Sequence, residues 1–505
     1  MSRPRTVVIG LDGGTWELLS PALEHGRLPR TRRALEGAVT ARLESVDPPV
    51  TLPAWYCAFT GASPARLDCW GFTTPSSTPG RFESVTDYRP REAIWDRLSR
   101  RGSRVAVLNA PVLPPPVVHG VFVPGMLEFP GGRPVASPSG LLPRLEKEVG
   151  PWAFDLPERG GSSLEDWLGL AVSSLTQKAS AAELLTEKED PEFLFVLLSE
   201  TDRVQHEWYP DLLASVVTAG PPWDRYWEGL DRTVSRLIAL RDSGRGEGWA
   251  WILSDHGFGP AEGYFFTNRF LEREGFLALK PGAPRGRSRL TGMLSQADRL
   301  VPLRAPLAWV ERGRRASPTS RPPAAGGADL TFGEFAPHID WERTRAYSFP
   351  TPEAIFENRY RGGSAEDRDR LAGEILDALG REPRAELRGL RPEELYSGPL
   401  GPRAPLLLLV SHGYAWETRG DFNYSRTLLA RRPSYFRRKG THRRTGLLAV
   451  LGPGVSPGPL GSPVSLLSFA PTLSRAVGLE LPEPRDGEPD PALLGRLGVG
   501  PASFR

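Results

Sequence analysis

The chain has 505 residues, 39% of them hydrophobic and 24% charged, with 54 Gly and 52 Pro. This is the make-up of a turn-rich globular protein, and it excludes a disordered chain. A net charge of +3 spread over this length is too weak to argue for nucleic-acid binding, and two cysteines, Cys57 and Cys69, are too few for a disulfide framework and read as core thiols in a reducing compartment.

In chain order, the first apolar run is Val7 to Leu11, too short for the core of a secretory signal but the right length for a strand. No window approaches the roughly 18 unbroken apolar residues of a membrane span, the best candidate being Leu406 to Val410, so a cytoplasmic protein is expected. Strand-like runs follow at Val105 to Leu108, Phe193 to Leu198, Trp249 to Leu253, Leu406 to Val410 and Leu447 to Leu451. Helical spacing appears at Ala93 to Arg100, Ser163 to Thr186, Trp223 to Leu240 and Arg368 to Leu379. This alternation predicts an α/β fold, a mostly parallel central sheet with helices on both faces. The expected division is a first part of the core over residues 1–280, a Pro/Arg/Gly-rich linker or mobile lid over 281–334, a small inserted subdomain over 335–402, and a second part of the core over 403–505.

Several apolar runs stop abruptly at an acid or a small polar residue, which is how parallel strands deliver reactive groups to their carboxyl edge. Asp12 ends the first run and is followed by two glycines that allow a sharp turn; alone it also reads as a helix cap. Thr51 stands at a predicted helix start, two residues before Pro53, where free amides and the positive helix end favour a phosphate. A plain capping threonine fits the same position. Asp202 and His206 lie four apart after the Phe193 to Leu198 run, so one helical turn sets both on one face. Asp255 and His256 follow the next strand directly, with Gly257 and Gly259 after them, whereas His442 precedes a strand and must enter from a loop. His25, His119, His338 and His412 lack any such setting and read as surface or core residues.

Taken together, Asp12, the Thr-Leu-Pro-Ala-Trp helix start at Thr51, Asp-x-x-x-His at Asp202, Ser-Asp-His-Gly-Phe at Asp255 and Gly-Thr-His at His442 resemble the alkaline phosphatase superfamily. More narrowly, they look like its type I phosphodiesterase/nucleotide pyrophosphatase branch and bacterial phosphohydrolase or phosphomutase-like relatives. The resemblance implies an alkaline-phosphatase-like fold with two divalent metals, Zn²⁺ first and Mn²⁺ next by ligand type. It implies one ion held by Asp12, Thr51, Asp255 and His256, and the other by Asp202, His206 and His442. Thr51 would attack phosphorus in line to give a phosphothreonine, which water then hydrolyses. Two cations roughly 4 Å apart suit a phosphoryl transfer that asks chiefly for positioning and charge.

The implied function is a metal-dependent phosphodiesterase or phosphatase. The alternatives are a phosphotransferase or phosphomutase using the same intermediate, and a non-catalytic metal- and phosphate-binding protein. A threonine at this position counts against sulfate esters. The branch commonly places an Asn about twenty residues past the nucleophile, but none precedes Asn109 here, which counts against nucleotide cleavage. The expected partner is a phosphorylated small molecule or a lipid-like substrate. Trp55, Tyr56, Trp208, Tyr209 and Phe258 either form a groove for it or simply pack, and the basic run from Arg431 to Arg444 either attracts a polyanion or is a solvated loop.

Overall fold

The computed structural model describes residues 5–500 apart from 77–79, 85–91, 113, 127–134, 158–161, 219, 284–335, 350, 352, 360–361, 383–385, 421–427, 432–438 and 481–484. The expected linker or lid therefore lies almost wholly outside the described residues, as does most of the basic run before His442.

A nine-stranded sheet organises the chain. Its order is Gly458–Pro459, Val39–Glu44, Thr445–Leu451, Trp249–Leu253, Thr6–Leu11, Phe193–Leu198, Val105–Ala110 and Gly120–Pro124, with Val464–Ser465 also pairing Val39–Glu44. The five strands from Trp249–Leu253 to Gly120–Pro124 are mutually parallel, as the apolar runs predict. Thr445–Leu451 runs antiparallel to both neighbours. Its unbroken apolar run is that of any strand covered on both faces, so strand direction was not readable from it.

Side-chain alternation divides this sheet between two cores. Val7, Ile9, Leu194, Val196, Ala250, Ile252, Leu447 and Ala449 face one side, where Leu164–Glu189 and Trp223–Ala239 cover them. Val8, Phe193, Phe195, Trp251, Leu253, Leu448 and Val450 face the other, against Thr51–Thr60, Ile94–Arg100 and Phe469–Ala476. Each fully buried large side chain contributes about 1.5–3 kcal/mol, which is why neither face tolerates polar residues along these strands. Helix starts follow local chemistry: Ser163 caps Leu164–Glu189 by accepting the Asp166 N–H at 3.1 Å.

A third core is built on a four-stranded sheet in the order Ala346–Tyr347, Ala354–Glu357, Leu407–Ser411, Leu387–Leu390, covered in part by the helix Ala365–Gly380. The apolar run expected near Leu406 to Val410 belongs here and pairs antiparallel on both sides. Its leucines are buried among Ile375, Leu379, Phe265 and Phe270, so its sequence looks like that of a strand in the large sheet. Two smaller pieces join the units. Gly263–Phe266 pairs with Trp416–Arg419 and Leu429–Arg431, and Gly257–Pro260 forms an antiparallel ribbon with Gly440–Arg443. Among the described residues no helix is long and apolar enough to cross a membrane.

Candidate active site

Three neighbouring parallel strands each lead into an aspartate: Asp12 directly, Asp255 just after Ser254, and Asp202 in the first turn of the helix Glu200–Val217. Trp249–Leu253, Thr6–Leu11 and Phe193–Leu198 lie side by side with Leu11 opposite Leu198 and Gly10 opposite Leu253. Their shared direction puts Asp255, Asp12 and Asp202 at one carboxyl edge, at 1%, 0% and 1% exposure. Gly13 turns the chain there at φ +65°, and a Cβ on it would meet the Phe258 ring at 2.7 Å. Its N–H donates to Asp255 Oδ1 at 3.2 Å, so one turn of chain holds the neighbouring acid in place.

Thr51 opens the helix Thr51–Thr60 on the other side of this edge, and because Pro53 has no N–H the first turn presents the amides of Thr51 and Leu52. Its Oγ1 lies 3.2 Å from His256 Nε2. The same nitrogen is 3.2 Å from Asp255 Oδ2 and 3.7 Å from Asp12 Oδ1. In the second group, Asp202 and His206 share a helical face, with Asp202 Oδ1 3.5 Å from His206 Nε2. The ribbon brings His442 in beside them: its Nε2 is 3.3 Å from Asp202 Oδ1 and 3.0 Å from His206 Nε2. The His442 and His256 rings stack with centroids 3.7 Å apart, which joins the two groups. All seven residues singled out in the sequence thus meet in one cluster, while His25, His119, His338 and His412 stay outside it.

The imidazoles are oriented by backbone carbonyls. His206 Nδ1 faces Gly440 O at 3.2 Å, His442 Nδ1 faces Pro49 O at 2.8 Å, and His256 Nδ1 faces Gly257 O at 3.1 Å. A carbonyl can only accept, so each Nδ1 carries the proton and each Nε2 turns a lone pair into the cluster. Lone pairs then meet lone pairs. His206 Nε2 and His442 Nε2 face each other, and Asp12 Oδ1 and Asp255 Oδ2 are buried with no hydrogen-bond donor. That arrangement is unfavourable unless cations lie between the groups.

Charge tells the same story. Burial, reinforced by the Asp255 and Asp202 carboxylates, pushes the Asp12 carboxyl well above its ordinary range, and burial raises Asp255 as well, with Asp202 adding to it. Burial also works against ionised Asp202, but charge on His206 and His442, when these carry a second proton, and on the Arg203 guanidinium outweighs it and holds this carboxyl well below the usual range. His256, desolvated and beside His442, is brought down to about 3 and is neutral. Asp202, His206 and His442 form one set of donor atoms within 4.8 Å of one another, and Asp12, Asp202 and His256 form another. The donors are imidazole nitrogen and carboxylate oxygen, the mixture that suits divalent ions such as Zn²⁺. The residues present therefore fit divalent metal, and the orphaned oxygens are the observation that carries this.

Supporting residues were less visible in the sequence. Trp55 Nε1 donates to Asp12 Oδ2 at 3.0 Å, and Thr201 Oγ1 donates to the Asp12 carbonyl at 2.7 Å. Arg203 pairs with Asp155 and places Nη1 3.6 Å from Asp202 Oδ2, leaving Oδ1 to the histidines. Its position directly after Asp202 was the one available signal. The aromatics beside the ligands are all at most 5% exposed: Trp55, Tyr56, Trp208, Tyr209 and Phe258 pack, and Tyr209 stacks on Phe258. They form no open groove.

A family model described as type I phosphodiesterase / nucleotide pyrophosphatase matches residues 6–319, a span that holds every one of the seven residues except His442. No curated protein matches the chain. Among solved structures, wild-type alkaline phosphatase PafA is similar over 99% of this chain and 100% of its own, at 14% identity and a TM-score of 0.59. Phosphonoacetate hydrolase from Sinorhizobium meliloti 1021, in complex with phosphonoformate, is similar over 93% of this chain and 98% of its own, at 17% identity and a TM-score of 0.53. At these identities the likeness to solved structures shows the fold, an alkaline-phosphatase-like arrangement.

Proposed function

The chain belongs to the type I phosphodiesterase / nucleotide pyrophosphatase family and is a hydrolase of phosphoric ester bonds, and on that premise we propose that it works through a Thr51 nucleophile beside two divalent metal sites. Asp12, Thr51, Asp255 and His256 would hold one ion and Asp202, His206 and His442 the other. When bound, the ions supply positive charge for the attacking and leaving oxygens and lower the proton affinity of the threonine hydroxyl. Zn²⁺ is the first choice and Mn²⁺ the second.

The observation that carries this reading is the placement of Thr51 Oγ1, 3.2 Å from His256 Nε2 at the open start of a helix. The amides of Thr51 and Leu52 face an arriving phosphate, and the helix end favours its charge. His256, held at Nδ1 by Gly257 O, turns Nε2 toward Thr51 Oγ1 and the Asp12 and Asp255 carboxylates, where its lone pair would go to the ion they share. Three carboxylates against two dications leave net positive charge, which suits an anionic substrate. The P–Oγ1 bond forms as the ester P–O bond breaks, the alcohol departs with a proton, and water then hydrolyses the phosphothreonine to free Thr51 and phosphate, or a phosphomonoester from a diester. The substrate is a phosphorylated small molecule or a lipid-like phosphate ester.

The test is acid quenching during turnover of an aryl phosphate, followed by mass spectrometry. A phosphoryl group on the Thr51 peptide is expected, and its absence with undiminished turnover in Thr51→Ala would reject the covalent route. Adding glycerol separates hydrolysis from transfer: phosphate found only on glycerol would make the protein a phosphotransferase.

A further inference from the structure

Residues 45–50 lead from the strand Val39–Glu44 to Thr51, and they also carry the Pro49 carbonyl that orients His442. The large core fixes the near end of this loop. Ser45 N–H donates to Arg444 O at 2.9 Å, and Ser45 Oγ donates to Asp255 O at 2.6 Å. Its middle is held from the unit built on the four-stranded sheet. Tyr396, just after the short helix Pro392–Leu395, accepts the Asp47 N–H at 2.7 Å and donates its hydroxyl to the Asp47 carbonyl at 2.8 Å. Tyr414, on the 3-10 turn after Leu407–Ser411, donates to Asp47 Oδ1 at 2.6 Å. Arg444 Nη1 lies 3.3 Å from Asp47 Oδ2. Every polar atom of this 3% exposed aspartate is therefore engaged.

Tyr414 joins both sides of the reacting cluster. Its hydroxyl holds the loop that ends in Thr51, while its backbone oxygen accepts from Arg443 Nη1. The same guanidinium donates to the carbonyls of His442 and Pro260, which ties it to the ribbon that presents His442. The residue keeps a left-handed φ of +56°, a conformation that a side-chain-bearing residue adopts only when its surroundings demand it. Burial and the Asp47 charge push the Tyr414 hydroxyl above its ordinary range, so it stays a donor.

We propose that Tyr414, assisted by Tyr396, is a positioning residue for phosphoryl transfer. It sets the Thr51 oxygen in register with His442, which makes the smaller unit part of the catalytic apparatus. The proposal rests on the reading of Thr51 as nucleophile.

Tyr414→Phe removes the hydroxyl and keeps the ring. In steady-state assays with an aryl phosphate, kcat should fall by about tenfold with KM changed by less than about twofold, because only the aim of the attacking oxygen is disturbed. Metal content by elemental analysis should stay near wild type, and the melting midpoint should fall only by what one lost hydrogen bond to a buried carboxylate costs. Tyr396→Phe should act in the same direction, and Tyr414→Phe combined with Asp47→Ala should cost no more than Asp47→Ala alone, since the alanine has already removed the oxygen that accepts the Tyr414 hydroxyl. An unchanged kcat with a lowered melting midpoint would make the contact merely structural, and a loss of metal in step with kcat would assign the effect to the ligands; either result overturns the proposal. If Thr51→Ala is inactive while Tyr414→Phe is silent, this inference alone fails. Turnover retained by Thr51→Ala would sink both readings.

Discussion

Asp12, Thr51, Asp255 and His256 are at most 4% exposed and stand where parallel strands end or a helix begins, whereas His206 is 8% exposed and His442 sits partly open on an antiparallel ribbon. The first group needs only adjacent parallel strands and one helix start to exist. The second also needs chain from the far end of the sequence, brought in by the Gly440–Arg443 strand and held by the Pro49 carbonyl. The buried group is fixed by the sheet, and the outer group by contacts between distant segments.

The sharpest way to probe this contrast is Thr51→Ala, which should lower kcat on an activated aryl phosphate by about a thousandfold or more while leaving bound metal close to wild type. Thr51 would then be a nucleophile first and a ligand second. Asp255→Ala should lower both activity and metal content, weakening metal affinity by about a hundredfold, because this acid is buried and also anchors Gly13. His442→Ala should have a smaller effect on metal content, since Asp202 and His206 remain on one helical turn. Equal metal loss in the last two variants, measured side by side by elemental analysis, would erase the distinction between a rigid inner group and an outer one.

The smallest effect should come from Trp55→Phe. It removes the N–H that Asp12 Oδ2 accepts and should cost about 2 kcal/mol in denaturant unfolding, with turnover at saturating metal within about threefold of wild type. Unchanged stability would show that Asp12 is held by the strand end and Thr201 alone.

The parallel strands at Thr6–Leu11, Phe193–Leu198 and Trp249–Leu253 were legible because burial on both faces leaves an apolar run that stops abruptly at an acid or a small polar residue. The strand Val39–Glu44, near one end of the sheet, was missed. It alternates buried with more open positions, and Arg42 and Glu44 break up its apolar signal. Direction and sheet membership were equally hidden, as Thr445–Leu451 and Leu407–Ser411 show. A run of leucine and valine reports that a strand is covered and says nothing about which neighbour covers it.

The sequence by itself determined the chemical types at each strand end and helix start, since a carboxylate, an imidazole or a hydroxyl following an apolar run keeps its identity whatever the fold does with it. Only the tertiary structure decided that three aspartates share one edge, that three backbone carbonyls turn the imidazole Nε2 atoms inward, and that two tyrosines reach Asp47 from some 350 residues along the chain. Those outcomes depend on strand order and long-range packing. They are properties of pairs of distant segments, and no local stretch of residues encodes them.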